Sequence, residues 1–370
     1  MSILWILFMV KILLLSALLC VLSVPCRART VVVDAVDATP LPAASVFDAT
    51  GRMVALTDAD GAFSAALPAT VRCMGYEPAT LAVDADTLRM SPASYELQGM
   101  TVNLAERDVL RLVCYVREFM GMAADSTTSV LYAEYMVDYM LPVRKLKKFK
   151  GRFSPRVLAK RSVMRMSRTD AADSIAADPE GANELPWLQL ASMPAPSPDG
   201  TYEMLPDSVR GRACSYSVPG KYGMLREYRV TPALVTVNVD PLADSEEHRI
   251  SPWFFKLFGL TIDIAELTSS TGYVPPESGE LRPEDMVMRT FSMEALARGK
   301  LFKKLLGCKS DMKMKAFFEI YPVDREYLTA TEARAAEKEK PATPALEVPD
   351  NAAPLDEATL NMLEAARKLR

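Results

Sequence analysis

Apolar residues between Arg29 and Asn103 come in short runs, and turn-forming residues lie between them. Val31 to Val33, Ala44 to Phe47, Met53 to Thr57, Ala62 to Leu67, Thr70 to Tyr76 and Thr80 to Val83 are the predicted strands. Asp48-Ala49-Thr50-Gly51 and Asp58-Ala59-Asp60-Gly61 separate neighbouring runs. Asp and Gly tolerate the left-handed backbone angles that a tight hairpin needs. Strands at this regular, short spacing make a sandwich, with Leu97 to Val102 as its final strand.

The period then changes. Val109, Leu112, Val113, Val116 and Met120 recur at helical spacing, which predicts an amphipathic helix over Asp108 to Met120, ended by Gly121. Leu131, Ala133, Tyr135, Val137, Tyr139 and Leu141 instead alternate with Tyr132, Glu134, Met136 and Asp138, the pattern of a strand with one buried face. Met312, Met314, Ala316, Phe318 and Ile320 alternate with Lys313, Lys315, Phe317 and Glu319 in the same way, and Leu234 to Val239 is a further strand. Thr329 and Glu332 form a capping box that opens a helix running to about Lys340, where Pro341 stops it.

Pro341 to Pro354 is rich in Pro and Ala and reads as a disordered linker. Leu355 to Arg370 returns to helix, with Asp356 and Glu357 at its start, Arg367, Lys368 and Arg370 at its end, and Leu355, Met362, Ala366 and Leu369 on one face. The pattern therefore predicts a multidomain chain. An all-β sandwich occupies 29–103, an α+β domain rich in antiparallel strands occupies 104–340, and a partly disordered C-terminal tail consists of a linker at 341–354 and a helix at 355–370.

Residues 1–28 have a different character. Lys11 is followed by an apolar run from Ile12 to Val24 and then by Cys26-Arg27-Ala28, with small side chains at the two positions a signal peptidase reads. This predicts a cleaved secretory signal and an exported protein, in the periplasm or at the outer membrane. The alternative is an uncleaved N-terminal anchor of about 22 apolar residues interrupted by Lys11. Neither Cys20 nor Cys26 is preceded by the small residue that lipid attachment wants.

Export changes how the composition is read. Removing Lys11 and Arg27 with the signal takes the formal charge from -4 to -6, which argues against nucleic acid as a partner. Cys73, Cys114, Cys214 and Cys308 then remain, widely spaced and without metal-type pairing. Four thiols allow three disulfide connectivities, but Cys73 and Cys114 sit in apolar runs where a thiol acts as a small core residue. His248 is the one histidine in the sequence, so multi-histidine metal sites are excluded, and a Ser-His-Asp or Cys-His site would have to use it. No metal and no cofactor are expected.

Three segments of the predicted sandwich carry a family resemblance. Pro40-Leu41-Pro42-Ala43-Ala44-Ser45-Val46, Thr57-Asp58-Ala59-Asp60-Gly61-Ala62-Phe63 and Met74-Gly75-Tyr76-Glu77 resemble the carboxypeptidase regulatory-like domain of exported Bacteroidetes proteins, with Ala43 where a glycine is usual. The resemblance implies a transthyretin-like Greek-key sandwich, an interaction role and no peptidase residues. Val137 to Pro142, Pro155 to Leu158 and Ile320 to Thr329 resemble the uncharacterised region that follows the sandwich in some of those proteins, a region with no activity to transfer.

Chemistry is sparse. From Arg144 to Arg168 there are eleven Lys or Arg residues and no acid. Arg144, Lys145, Lys147, Lys148, Lys150, Arg152 and Arg156 form the candidate anion-binding surface, for acidic lipid or glycan. The alternative is a solvated hairpin beside the acidic stretch Asp170 to Glu184. Glu134 and Asp138 read as solvent-facing charges, too far apart on one strand face for direct contact. Ser310-Asp311-Met312-Lys313 has the spacing of a Ser-Lys nucleophile, yet Lys313 belongs to an alternating strand. Trp253-Phe254-Phe255 with Leu257 and Phe258 reads as core packing.

These features predict a non-enzymatic cell-envelope protein whose sandwich is an interaction module and whose second domain binds or scaffolds envelope partners, with membrane contact peripheral at most. The alternatives are a carboxylate-based glycan or cell-wall hydrolase and a lipid carrier with a concave second domain. The signal reading has a direct check. Mass spectrometry of the protein from envelope fractions should find Arg29 as its N-terminus, whereas peptides covering Ile12 to Ala28 in the mature pool would establish the anchor instead.

Overall fold

The computed structural model of the chain describes residues 29–93, 108–125, 127–142, 155–169, 171–178, 213–218, 224–230, 234–240, 261–275, 281–298, 309–339 and 343–369. The signal segment, Leu97 to Val102, His248, Trp253 to Phe258 and Cys308 lie outside the described residues. Short strands come first: β1 (Thr30–Asp34), β2 (Ser45–Asp48), β3 (Met53–Leu56), β4 (Ala62–Phe63), β5 (Ala69–Arg72), β6 (Ala79–Leu81) and β7 (Thr87–Met90). Long strands follow: β8 (Val109–Ala124), β9 (Thr127–Pro142), β10 (Arg156–Arg168), β11 (Ala171–Ala177), β12 (Ala213–Val218), β13 (Met224–Val230), β14 (Val235–Asp240), β15 (Thr261–Tyr273), β16 (Met286–Arg298) and β17 (Met312–Leu328). Helices α1 (Ala330–Lys338) and α2 (Glu357–Arg367) come last. None of the described helices is long and apolar enough to cross a membrane.

The short strands form two sheets, in the orders β4-β1-β7 and β3-β2-β5-β6. Val32, Phe63, Leu88 and Met90 of the first meet Val46, Val71 and Leu81 of the second in one apolar core. This is the predicted sandwich. Its turns are as expected, with Gly51 at φ +76 and Gly61 at φ +71. β7 pairs in parallel with β1 through Val31 to Asp34, and the expected strand Leu97 to Val102 lies outside the described residues. With Leu88 and Met90 as its only buried side chains, β7 is too short to stand out as a pattern.

The long strands form an antiparallel sheet in the order β11-β10-β9-β8-β17-β16-β15-β14-β13-β12, ten strands among the described residues. Most neighbours in the sheet are neighbours in sequence. The exception is β17, which lies between β8 and β16 and joins two otherwise sequential groups.

Strand alternation explains how the two parts meet. In β2, Val46 points into the sandwich core while Phe47 points out of it, and in β5 the same holds for Val71 and Arg72. The outward set lands on the large sheet. Phe47 packs edge-on against Phe119 of β8 at 5.6 Å and Phe317 of β17 at 5.7 Å between ring centroids. Gly121 of β8 makes room for this contact, since a Cβ there would come within 2.5 Å of Arg52 Cγ. The four-stranded sheet is thus the middle layer of three.

Asp108 to Met120 is therefore not a helix, and Gly121 ends nothing. Both faces of β8 are covered: Val113, Tyr115 and Phe119 turn toward the sandwich, and Leu110, Leu112, Cys114, Val116 and Met120 turn away from it. A strand covered on both sides reads as a nearly continuous apolar run, and a subset of such a run can mimic a helical period. Among the described residues this part is mostly antiparallel strand, with few helices: a 3-10 turn at Pro283–Asp285 and α1.

The capping box is present, with Thr329 and Glu332 bonding each other's backbone N–H groups at the start of α1. Residues 343–354, expected to be disordered, form a strap that is neither helix nor strand and contains a turn in which Ala352 N donates to the Pro349 carbonyl. Leu346 and Ala352 pack beside Tyr115 and Tyr321. On α2, Met362 and Ala366 are buried against Phe47 and Phe119 as the shared face requires, but Leu369 is 62% exposed.

Gly61 is the tightest point of the sandwich turns. A Cβ there would lie 2.7 Å from the Val32 carbonyl oxygen and 2.9 Å from the Leu41 nitrogen, in a backbone conformation that β-branched residues avoid. Gly61→Val should destabilise the chain by more than about 1 kcal/mol. Urea unfolding followed by circular dichroism measures this, and an unchanged midpoint would contradict the turn assignment.

Candidate functional site

The sandwich-facing side of the large sheet carries a row of charges. Strand register sets Arg161 of β10 opposite Glu134 of β9, Glu134 opposite Arg117 of β8, and Arg117 opposite Glu319 of β17. Charge alternates across four strands. Arg72 then descends from β5 of the sandwich onto the end of the row. Its Nε donates to Glu319 Oε1 at 2.9 Å, and its guanidinium lies over the Phe119 ring.

Glu134 is saturated. It accepts from the hydroxyls of Tyr115 at 2.8 Å and Tyr132 at 2.7 Å, and from Arg161 Nε at 2.8 Å. Burial pushes the Tyr115 hydroxyl up to about 12 and raises Tyr132 well above the usual phenol value, so both remain proton donors to this carboxylate. Burial works against the Arg117 cation, but Tyr132, Glu319 and Tyr115 outweigh it and hold its pKa above the ordinary arginine value.

Asp138 lies two repeats of the pleat further along β9. It accepts from Arg111 Nε at 3.0 Å and Arg156 Nη2 at 2.6 Å. The predicted solvent-facing charges are therefore buried, Glu134 and Asp138 both at 1% exposure, because the sandwich, α1 and the strap cover this face. Removing either carboxylate would strand cations in a desolvated interface.

The strap closes the row from above. Arg72 Nη1 donates to the Pro354 carbonyl at 2.8 Å, Arg117 Nη1 donates to the Ala353 carbonyl, and Ala353 N donates to the Tyr321 hydroxyl at 3.3 Å. Under the strap lies a cavity of about 170 Å³, lined by Arg72, Glu319, Thr290 and Tyr321 below and by Asp350 to Pro354 above. Two of its lining groups are incompletely used. Arg72 Nη2 approaches Glu319 Oε1 at 2.8 Å but in a direction that makes no hydrogen bond, and Glu319 Oε2 has no hydrogen-bond partner. A second, more open cleft of about 470 Å³ lies between β8, β9, β10, α1 and the start of the strap, with Arg111 and Arg156 in its wall.

Of the predicted anion-binding residues, Arg156 alone is described. It is already engaged by Asp138 and by the carbonyls of Ala336 at 2.7 Å and Glu339 at 3.2 Å at the end of α1, so it serves the interior of the molecule and not a free basic surface. Arg144, Lys145, Lys147, Lys148, Lys150 and Arg152 lie outside the described residues. Lys313 is an exposed strand residue, which removes the helical turn that a Ser-Lys pair needs. Cys114 is a fully buried thiol, and burial raises its pKa. Among the described residues no group of His, Cys, Asp or Glu could hold a metal ion.

The opposite face of the large sheet is apolar and rich in methionine, with Met120, Met122, Met293, Met312 and Met314 in one cluster. Tyr139 of β9 lies on this face, and burial raises its pKa, with Cys114 adding to the rise and Arg289 of β16 opposing it. Glu118 sits in the middle of this face, fully buried. Its Oε2 accepts from the Tyr135 hydroxyl at 2.7 Å and its Oε1 has no partner. Nothing in the sequence pattern marked it, because a helical reading placed it on a wet face.

No family model matches this chain, and no curated protein does. Among solved structures, one similar chain is lipovitellin, a structure described by its lipid–protein interactions, with 8% identity over 65% of this chain and a TM-score of 0.28. The match spans 27% of that chain, and at that score it supports no statement about fold or ligand.

Burial pushes Glu118 up to about 7 from an ordinary value of 4.5, with the Tyr135 hydrogen bond opposing. Between those values the folded chain holds a proton that the unfolded chain has lost. The contribution of this group to stability is therefore complete below its ordinary value and declines as pH rises toward 7. The decline should reach at most about 3 kcal/mol by about pH 8. Glu118→Gln, which has no proton to lose, should flatten that dependence in denaturant melts across this range. Identical pH profiles for the two proteins would show that Glu118 is not buried as described.

Proposed function

We propose that this chain is a non-enzymatic exported protein of a Bacteroidetes-type cell envelope, multidomain in organisation, that binds or scaffolds envelope partners. Its sandwich acts as a transthyretin-like Greek-key interaction module of the carboxypeptidase regulatory-like type. The main support is the interface between sandwich and large sheet, where aromatic rings pack together, Arg72 pairs with Glu319 and the strap ties the two parts. A carboxylate hydrolase needs two acids facing a substrate-sized cleft, one of them able to give up a proton. Glu134 and Asp138 are instead committed to arginines and tyrosines. The methionine-rich face supports a second reading, the lipid carrier, because methionine adapts to irregular apolar ligands.

Three measurements on the exported chain separate these readings. Cross-linking in intact envelopes should give a discrete adduct of constant mass, and recovery of the chain only as an uncross-linked species would count against scaffolding. Incubation with peptidoglycan and envelope polysaccharide should release no reducing ends. Release that is abolished by Glu134→Gln or Asp138→Asn would establish the hydrolase instead. Native mass spectrometry should return the mass of the polypeptide, and a co-purifying acyl lipid would favour the carrier.

A further inference from the structure

The cavity under the strap has a one-sided lining. Arg72 is the one cation in its wall, set against three carboxylates, those of Glu77, Glu319 and Asp350. That arginine is already engaged, since its Nε donates to Glu319 Oε1 at 2.9 Å and its Nη1 to the Pro354 carbonyl at 2.8 Å. Glu77 and Asp350 are exposed residues at the rim, and neither has an ion-pair partner among the described residues. The lining therefore carries a surplus of negative charge.

Glu319 lies at the floor, with its side chain 3% exposed. Arg117 Nη1 stands 3.6 Å from its Oε2, too far for a hydrogen bond, and that oxygen has no other hydrogen-bond partner. An acceptor so deeply buried and unsatisfied is costly, and a donor on a ligand would remove the cost. Beside it, Arg72 Nη2 lacks an acceptor. An anion would meet that donor but be repelled by the three carboxylates, whereas a neutral oxygen meets it without repulsion. Among the described residues no group of His, Cys, Asp or Glu could hold a metal ion, so the surplus charge calls for an organic cation. Met74, Met288 and Phe317 supply apolar wall for a short carbon chain, and a cavity of about 170 Å³ admits a molecule of roughly six heavy atoms.

We propose that the cavity between sandwich, sheet and strap binds a small primary ammonium ion that carries a neutral oxygen acceptor, the chemistry of a short amino alcohol. The ammonium donates to Glu319 Oε2 and the ligand oxygen accepts from Arg72 Nη2. Glu77 and Asp350 attract the cation to the mouth, a contribution that salt screens. This site goes beyond the scaffolding reading and stands apart from it, because envelope cross-linking tests that reading and amine binding tests this one.

The test uses the full exported chain, isotope-labelled at its methionine methyl groups, titrated with 2-aminoethanol at neutral pH and followed by NMR. Disappearance of one signal in Met288→Leu identifies the Met288 methyl in the cavity wall. That signal should shift saturably, with a dissociation constant of about a millimolar for so small a ligand. Ethylene glycol, which lacks the charge, and glycolate, which reverses it, should each bind at least about tenfold more weakly. Glu319→Gln should also cost about tenfold. Because that change deprives Arg72 and Arg117 of their carboxylate, a second variant guards against loss of the fold. Glu77→Gln with Asp350→Asn alters exposed residues only and should weaken binding about threefold, less at high salt. No saturable shift of the Met288 signal, the behaviour of a cavity that holds water only, would overturn the proposal. Equal binding of ethylene glycol or glycolate, or a rim variant that binds as tightly as wild type, would overturn it as well.

Discussion

The position of β17 between β8 and β16 is the constraint on which the rest of the structure depends. An interior strand of a sheet covered on both faces exposes neither its backbone nor its side chains to water. Every buried polar group on β8, β9 and β17 must therefore find a partner inside the protein, or its desolvation goes uncompensated. The alternating row of Arg161, Glu134, Arg117 and Glu319 follows from that requirement together with antiparallel register, which sets each charge directly opposite one of the other sign.

The same row explains why the sandwich sits where it does. Apolar contacts of Phe47 with Phe119 and Phe317 supply the non-directional attraction, and they would tolerate sliding. Arg72 does not tolerate it. A guanidinium reaching Glu319 and the Pro354 carbonyl together fixes sandwich, sheet and strap in one relative position. Buried ion pairs of this kind add little net stability over a well-packed apolar contact, but they penalise every misaligned arrangement. Specific alignment is what holds these three separate segments in one arrangement.

The two faces of the large sheet have been put to different uses. The side toward the sandwich resolves its charges by pairing. The opposite side gathers methionines in one cluster, and burial of its central acid, Glu118, favours the protonated form. Neutral Glu118 costs far less in that setting than a carboxylate would.

Much of the local structure was legible in the sequence. The Asp-Gly turns at Gly51 and Gly61, the alternation along β9 and β17, the capping box at Thr329 and the buried face of α2 at Met362 and Ala366 each rest on local geometry, which a chain carries in its own order of residues. Those features determined the sandwich and the antiparallel strands. Tertiary structure decided the rest. Asp108 to Met120 became a strand because it has a second apolar neighbour, and Glu134 and Asp138 became buried because the sandwich and strap lie over them. Pro341 to Pro354 has no internal periodicity, and residues 343–354 are held by Arg72, Arg117 and Tyr321, which are 32 to 282 positions away in sequence from the groups they join. The residues that make the candidate site are thus common types, separated along the chain, whose meaning depends on which strands become neighbours.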